Sequence, residues 1–381
     1  MSVGLGSKSE LVYGIETTYG VFPTTPAGVA LGLLSENIQN TRNTFISDEV
    51  NAARVVTSIR TGNVQAGGPI ATELSPNALG QFWKHLLMCV PVTTTVTGTV
   101  LGNSQAATRG TYYSHGGNLY LCIKAGTSAG SAALVTTDYS EEVSGTATYM
   151  YAGAAGSIYK HVFQAGNTKP TGGIWVERNS FLDTGSEYFR YIGGRIQSAS
   201  LNLPQEGILT ANWDMVFLDL DSQSNASLTG SITRPADEPF AGSQSMIRLK
   251  VGAGAYAEDA SVSAFTMNIA NGFDTNIYAV GARRRRDLPE GRREVNASIQ
   301  CYFEDITKFN YFKNETLFST EFTTYNRGQF MLIEMPQGRF QGGQPTPVIA
   351  GNGVTSTSFD LTAFGTNDIK LELYNTTASY A

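Results

Sequence analysis

The stretch GRIQSASLNLPQEGILTANWDMVF, residues 194–217, is restated by GRFQGGQPTPVIAGNGVTSTSFDLTAF, residues 338–364. Gly194-Arg195-Ile196-Gln197 matches Gly338-Arg339-Phe340-Gln341, and a turn rich in Pro and Gly follows each. Gly207 and Gly353 then each open a strand, and six residues on stand Trp213-Asp214-Met215 and Phe359-Asp360-Leu361. Tetrapeptide, loop, glycine and aromatic-Asp-aliphatic recur in one order, which marks an internal duplication.

The segments before each copy repeat a second order of landmarks. In the first half the long loop TFISDEVNAARVVTSIRTG (44–62) precedes the strand NVQAGGPIATEL and then SPNALGQFWKHLLMCV. Ser75 is placed to cap a helix with Pro76 at its first position. Leu79, Phe82, Trp83, Leu86 and Leu87 form its apolar stripe. In the second half the strand VSAFTMNIA (262–270) leads into the loop GFDTNIYAVGARRRRDLPEG (272–291) and the strand RREVNASIQCYFE (292–304). There Val295, Ala297, Ile299 and Cys301 share one face. The short helix DITKFNYFKNE (305–315) follows, with Asp305 as N-cap and Ile306, Phe309 and Phe312 as its stripe.

These landmarks divide the chain. Residues 1–33 read as an extended N-terminal arm, 34–96 with 154–222 as a first domain, and 262–381 as a second. Residues 97–153 interrupt the first domain as a small β-rich insertion with short strands such as NLYLCIKA between Gly turns. Residues 223–261 read as a connector with one strand, MIRLKV. The expected fold class is mainly β: two tandem β-sandwich domains, each with one flanking α-helix, plus the insertion. With 41 Gly among 381 residues and only 15% charged residues, composition favours strands and tight turns.

Charge and cysteine usage narrow the function. The net charge of −6 argues against a general nucleic-acid binder, which needs a basic footprint. Cys89, Cys122 and Cys301 are odd in number and far apart, so neither a disulfide framework nor a zinc site is expected. The longest apolar run, LLMCV at 86–90, is far too short to span a bilayer, and MSVGLGSKSELVYG lacks a signal-peptide core. The reading is a chain made in a reducing cytoplasm. His85, His115 and His161 fit no nucleophile elbow or phosphate loop, so no enzyme, cofactor or metal is expected.

ETTYGVFPTTPA, EYFRYIGGRIQSASLNLPQEGILTANWDMVF and REVNASIQCYFEDITKFNYFKN together resemble the siphophage tail tube proteins. The resemblance implies β-sandwiches with a flanking helix, arranged in stacked rings around a channel, in a virion tail assembled in the host bacterial cytoplasm. The implied partners are other copies of the chain, a tape measure protein, and tail terminator and distal tail proteins. DNA would pass without specific binding, and no membrane is involved. With two tube domains per chain, three chains would close a pseudo-sixfold ring. A distal tail ring or a carbohydrate-binding adhesin are the alternatives. The insertion's GGNLYLCIKAGTSAGSAA and VSGTATYMYAG resemble small carbohydrate-binding-like modules, but Tyr149 and Tyr151 stand where a Trp is usual.

Two groups of residues are the candidate sites. Arg283, Arg284, Arg285 and Arg286 form either a solvated loop tip or, as preferred here, a contact between subunits, because the Arg fork pairs well with carboxylates. The loop at the matching place in the first half offers Asp48, Glu49 and Arg54 for the same contact. Tyr112, Tyr113, Tyr149 and Tyr151 form a possible weak glycan face; strand alternation would place half of the insertion's tyrosines in the core. The insertion is expected to project outward and to be dispensable for assembly.

Overall fold

The computed structural model describes residues 9–49, 55–130, 134, 137–182, 185–224, 226, 227, 229–347 and 355–380. The first half comprises β1 (Glu10–Ile15), β2 (Leu33–Glu36), β3 (Gln39–Ile46), β4 (Ile59–Glu73), helix α1 (Gly80–Leu86), β5 (Tyr159–Gln164), β6 (Ile174–Leu182), β7 (Gly185–Pro204), β8 (Thr210–Phe217) and β9 (Asp219–Ser224). The second comprises β10 (Ser245–Val251), β11 (Val262–Ala270), β12 (Glu294–Tyr302), helix α2 (Thr307–Lys313), β13 (Phe318–Asn326), β14 (Gln329–Gln344), β15 (Ser356–Ala363) and β16 (Lys370–Asn375). The fold is mainly β, with these two α-helices among the described residues.

Alternation builds an inner sheet. In β12, Val295, Ala297, Ile299 and Cys301 are buried, while Asn296, Ser298 and Gln300 face outward; β8 and β15 alternate likewise. The rows run β2/β3, β4, β8, the C-terminal part of β7, β11, β12, β15 and the C-terminal part of β14, all antiparallel. The two halves join where β7 pairs with β11, from Ser198 opposite Ala270 to Pro204 opposite Ala264. One hydrophobic core, holding Trp83, Trp213, Phe265 and Phe359, runs through both halves.

Each half closes with an outer sheet. β1, β6, the N-terminal part of β7 and β9 pair in the first half. In the second, β10, β13, the N-terminal part of β14 and β16 pair in the matching order. The Gly-Arg-x-Gln tetrapeptide marks the point where each long strand passes from one sheet to the other. Register shifts lie between Ile196 and Ser198 and between Phe340 and Gly342. Gly194 has no room for a side chain, since a Cβ would come within 2.5 Å of Ile174 O.

Several expectations are corrected. Glu10–Ile15 is a strand of the outer sheet with Leu11, Val12 and Tyr13 buried, so the first 33 residues are not simply an arm. The two ends of the 44–62 segment are strand, since β3 and β4 pair out to Ile46 opposite Ile59, so the loop itself is shorter than expected. Helix α1 starts at Gly80, without a side-chain cap, and Ser75 precedes the turn at 76–78 that leads into it. Asp305 accepts a hydrogen bond from Thr307 N at 2.7 Å, but it does not occupy the N-cap position, which is Ile306. The 223–261 segment supplies β10, which holds in the second half the place that β1 holds in the first.

Nor does the insertion stand free. It is inserted in the first half but packs on the turn between β13 and β14 of the second. Tyr112, Leu119, Leu121 and Met150 share a cluster with Tyr325 and Phe330. Tyr112 Oη donates to Gly328 O at 2.8 Å, and its ring stacks on Tyr374 at 5.3 Å. Gly328, at φ +71°, lies so near Ala152 that a Cβ would come within 2.2 Å of Ala152 Cα. The strand before the cut at residue 153 runs on to Ala154, and the strand cut at 222 runs on to Ser224.

Candidate assembly interface

Three surfaces of the sheet are open. The outer side of β2/β3 and that of Phe340–Gln344 in β14 pair with nothing among the described residues, although the β7 segment matching the latter pairs with β11. They are the two ends of the inner sheet. An unpaired edge is a row of backbone donors and acceptors ready for another strand. The third surface is the outward face of the inner sheet. It carries Ser200, Asn202, Asn212, Thr266, Asn268 and Gln300, uncharged and hydrogen-bonding.

Asp214 and Asp360 stand at matching places on that face, because Trp213 and Phe359 turn into the core. Partial burial raises the Asp214 carboxyl above its usual range.

The β3–β4 hairpin extends beyond the sandwich. Phe45, Ile46, Val55, Val56 and Ile59 are all more than half exposed. A run of large apolar side chains on an arm is the signature of a contact surface. Asp48 and Glu49 sit on this arm, exposed, with Glu49 Oε2 accepting from Thr57 Oγ1 at 3.1 Å. Arg54 lies outside the described residues.

The arginine run divides. Arg283, Arg284 and Arg286 are exposed. Arg285 is 5% exposed, and its guanidinium donates to Thr275 O at 2.8 Å, Ala66 O at 2.9 Å and Phe217 O at 3.0 Å. It therefore fastens its own loop to the first half, and its place among the contact candidates is corrected. The rest of the loop does the same: Arg283 O accepts from Val64 N, Tyr278 Oη donates to Val64 O, and Leu288 is buried with Met88, Val216 and Phe273. No ion pair joins these arginines to Asp48 or Glu49 among the described residues.

The tyrosine face is corrected too. Tyr112, Tyr113 and Tyr149 are buried, leaving Tyr151 half-buried beside Tyr139 at 5.5 Å between ring centres. Their rings fill two apolar clusters and offer no flat surface to a sugar.

The tetrapeptide arginines lie near the helix ends. Arg195 is buried with its guanidinium 4.5 Å from the Tyr19 ring and 3.4 Å from His85 Nδ1. Arg339 lies 3.6 Å from Glu315. Burial, then the charges of Arg195 and Lys84, holds the His85 imidazole well below its usual pKa. His161 is also buried, between Thr93 Oγ1, Asn375 Oδ1 and Thr377 O. Sequence reading missed Tyr380, Asp237 and Phe240, which meet Gly80, Asn77 and Leu74 respectively from remote parts of the chain.

The fold is that of a mainly β protein with open sheet edges among the described residues. A family model described as phage tail tube protein matches residues 6–363, and the chain belongs to that family. It is thus a structural component of a virion tail. A solved chain from the virion of a native gene transfer agent particle matches at 17% identity, covering 32% of this chain and 93% of that one, with a TM-score of 0.24. No curated protein sequence matches.

Proposed function

We propose that this chain polymerises as rings of three copies stacked into a non-contractile tail tube. The pairing of β7 with β11 carries this reading. It joins the end of one sandwich's inner sheet to the start of the next, and the same two edges recur unpaired at the ends of the chain's own sheet. Repeating the internal join between copies is a heterologous contact, and such contacts generate rings when the rotation closes. Phe340–Gln344 of one copy would meet β2/β3 of the next. The two halves, β1 to β9 and β10 to β16, then act as successive ring positions.

The polar face of the inner sheet would line the channel. Its Ser, Thr, Asn and Gln side chains hydrogen-bond to water, and Asp214 and Asp360 repel phosphates, so DNA would slide without sticking. During assembly the channel would hold the tape measure protein, and the tube would end on terminator and distal tail proteins. The exposed β3–β4 arm, with Asp48 and Glu49, would reach the neighbouring ring, as would Arg283, Arg284 and Arg286. Electron microscopy with mass measurement of purified assemblies tests this. Long tubes with three chains per ring are expected. Six identical chains per ring would refute the equivalence of the halves, and single rings would favour a distal tail role.

A further inference from the structure

Helices α1 and α2 hold matching places in their halves, but the strands leading into them are covered differently. At the end of β4, Leu74 N donates to Leu209 O at 2.9 Å. Phe240 bridges the same two residues: its N–H donates to Leu74 O and its carbonyl accepts from Leu209 N, both at 2.9 Å. Asp237 completes the cover by accepting from Asn77 N and Nδ2 at 2.9 and 2.7 Å. Leu74 and Phe240 are each 1% exposed.

In the second half, the registers opposite Trp213 and Phe359 make Phe303 the match of Leu74, Thr355 of Leu209 and Ile306 of Asn77. The first bond recurs, Phe303 N donating to Thr355 O at 2.9 Å. Nothing among the described residues takes the place of Phe240. Neither Phe303 O nor Thr355 N has a backbone partner there, and Phe303 and Ile306 stand 37% and 63% exposed, beside Tyr302 at 38%.

The repeat itself indicates the missing cover. Phe240 belongs to the segment that runs into β10, and β10 matches β1: Leu249 lies opposite Thr320 as Tyr13 lies opposite Val176. Nine residues before Leu249 stands Phe240; nine before Tyr13 stands Gly4, between Val3 and Leu5. We propose that residues 2–8 of a second copy dock on the surface formed by Tyr302, Phe303 and Ile306, with Leu5 covering Phe303 as Phe240 covers Leu74. An incoming backbone N–H would meet Phe303 O, and an incoming carbonyl would meet Thr355 N. This inference rests on the head-to-tail ring proposed above and adds to it the docking of the first residues of each copy on the one before.

Two cysteines test it in the full-length chain, Leu5→Cys with Ile306→Cys, under mild oxidation of assembled protein. Covalent multimers on a non-reducing gel are expected from the double variant and not from either single one. Normal rings without cross-links would overturn the docking while leaving the ring intact. If the unaltered protein forms no rings, the ring reading fails and the docking with it. A second arm uses assembly concentration. Deleting residues 2–8 and changing Phe303→Ser should each raise it by about tenfold. Together they should do no more than either alone, because they remove one contact. Multiplying effects would overturn the proposal, and circular dichroism on the unassembled fraction checks that each variant is folded.

Discussion

The ring of Tyr380 lies directly on Gly80: a Cβ added to that glycine would come within 2.1 Å of the ring. Tyr380 is 4% exposed, and its carbonyl accepts from Lys84 Nζ at 3.0 Å. The end of the described chain therefore closes over the first turn of α1, some 300 residues earlier by chain number. Changing Gly80→Val should push this ring away and lower stability by about 1–3 kcal/mol, the usual cost of overpacking. Tyr380→Ala should cost about 3–5 kcal/mol, as for other buried aromatics. Urea unfolding of the unassembled protein reads both, and an unchanged midpoint for Gly80→Val would show that the tail is not held there.

The buried arginine and its exposed neighbours should separate in their effects. Arg285→Ser leaves three carbonyls without their donor and should destabilise the fold by about 2–4 kcal/mol, since hydrogen bonds from charged groups are worth roughly 1.5–3 kcal/mol each. Changing Arg283, Arg284 and Arg286 to Ser should leave the melting temperature within a degree or two, because exposed charges contribute about 0–1 kcal/mol. If they contact a neighbouring ring, tube length and its salt sensitivity will fall. Tubes of normal length and salt response would assign the three to a solvated loop.

Acid should weaken the fold through His85. The imidazole is held neutral by burial and by the facing charges of Arg195 and Lys84; the nearby Glu16 carboxyl is itself raised by burial. Unfolded, the same histidine takes a proton near its ordinary pKa of about 6.5. Below that value the unfolded state binds more protons, so stability falls as pH drops through about 6.5 and goes on falling to the depressed folded pKa. His161, also lowered by burial, adds the same sign. The urea midpoint should be lower at pH 5.5 than at 7.5, and His85→Gln should flatten the difference. Equal midpoints for the unaltered protein at both pH values would count against this.

Excising the insertion should be costly. Replacing residues 97–153 by a short Gly/Ser linker uncovers Phe330 and Tyr325, which are 3% and 8% exposed with the insertion in place. Re-exposing a large apolar side chain costs about 1.5–3 kcal/mol. The excised protein should melt earlier and aggregate, and Phe330→Ser with Tyr325→Ser should restore solubility without restoring stability. Excised protein that melts like the full chain would return the insertion to the standing of a free decoration.

Sequence alone determined the strand-rich class and much of the core. A period of two in Val295, Ala297, Ile299 and Cys301 is a local pattern that backbone geometry imposes on any strand with one buried face. Only the tertiary structure decided which residue of a pattern does what. Arg285 differs from Arg284 and Arg286 by the carbonyls of Ala66 and Phe217, which are brought to it from more than 60 residues away. Tyr112 and Tyr149 are core because the second half supplies a surface for the insertion and because the insertion has its own interior, neither of which is written near those residues. Phe240 covers Leu74, and Tyr380 covers Gly80, through the same kind of long-range meeting. Local periodicity fixes which side of a strand is apolar; what that side meets depends on how distant segments pack, and that is decided only when the chain closes on itself.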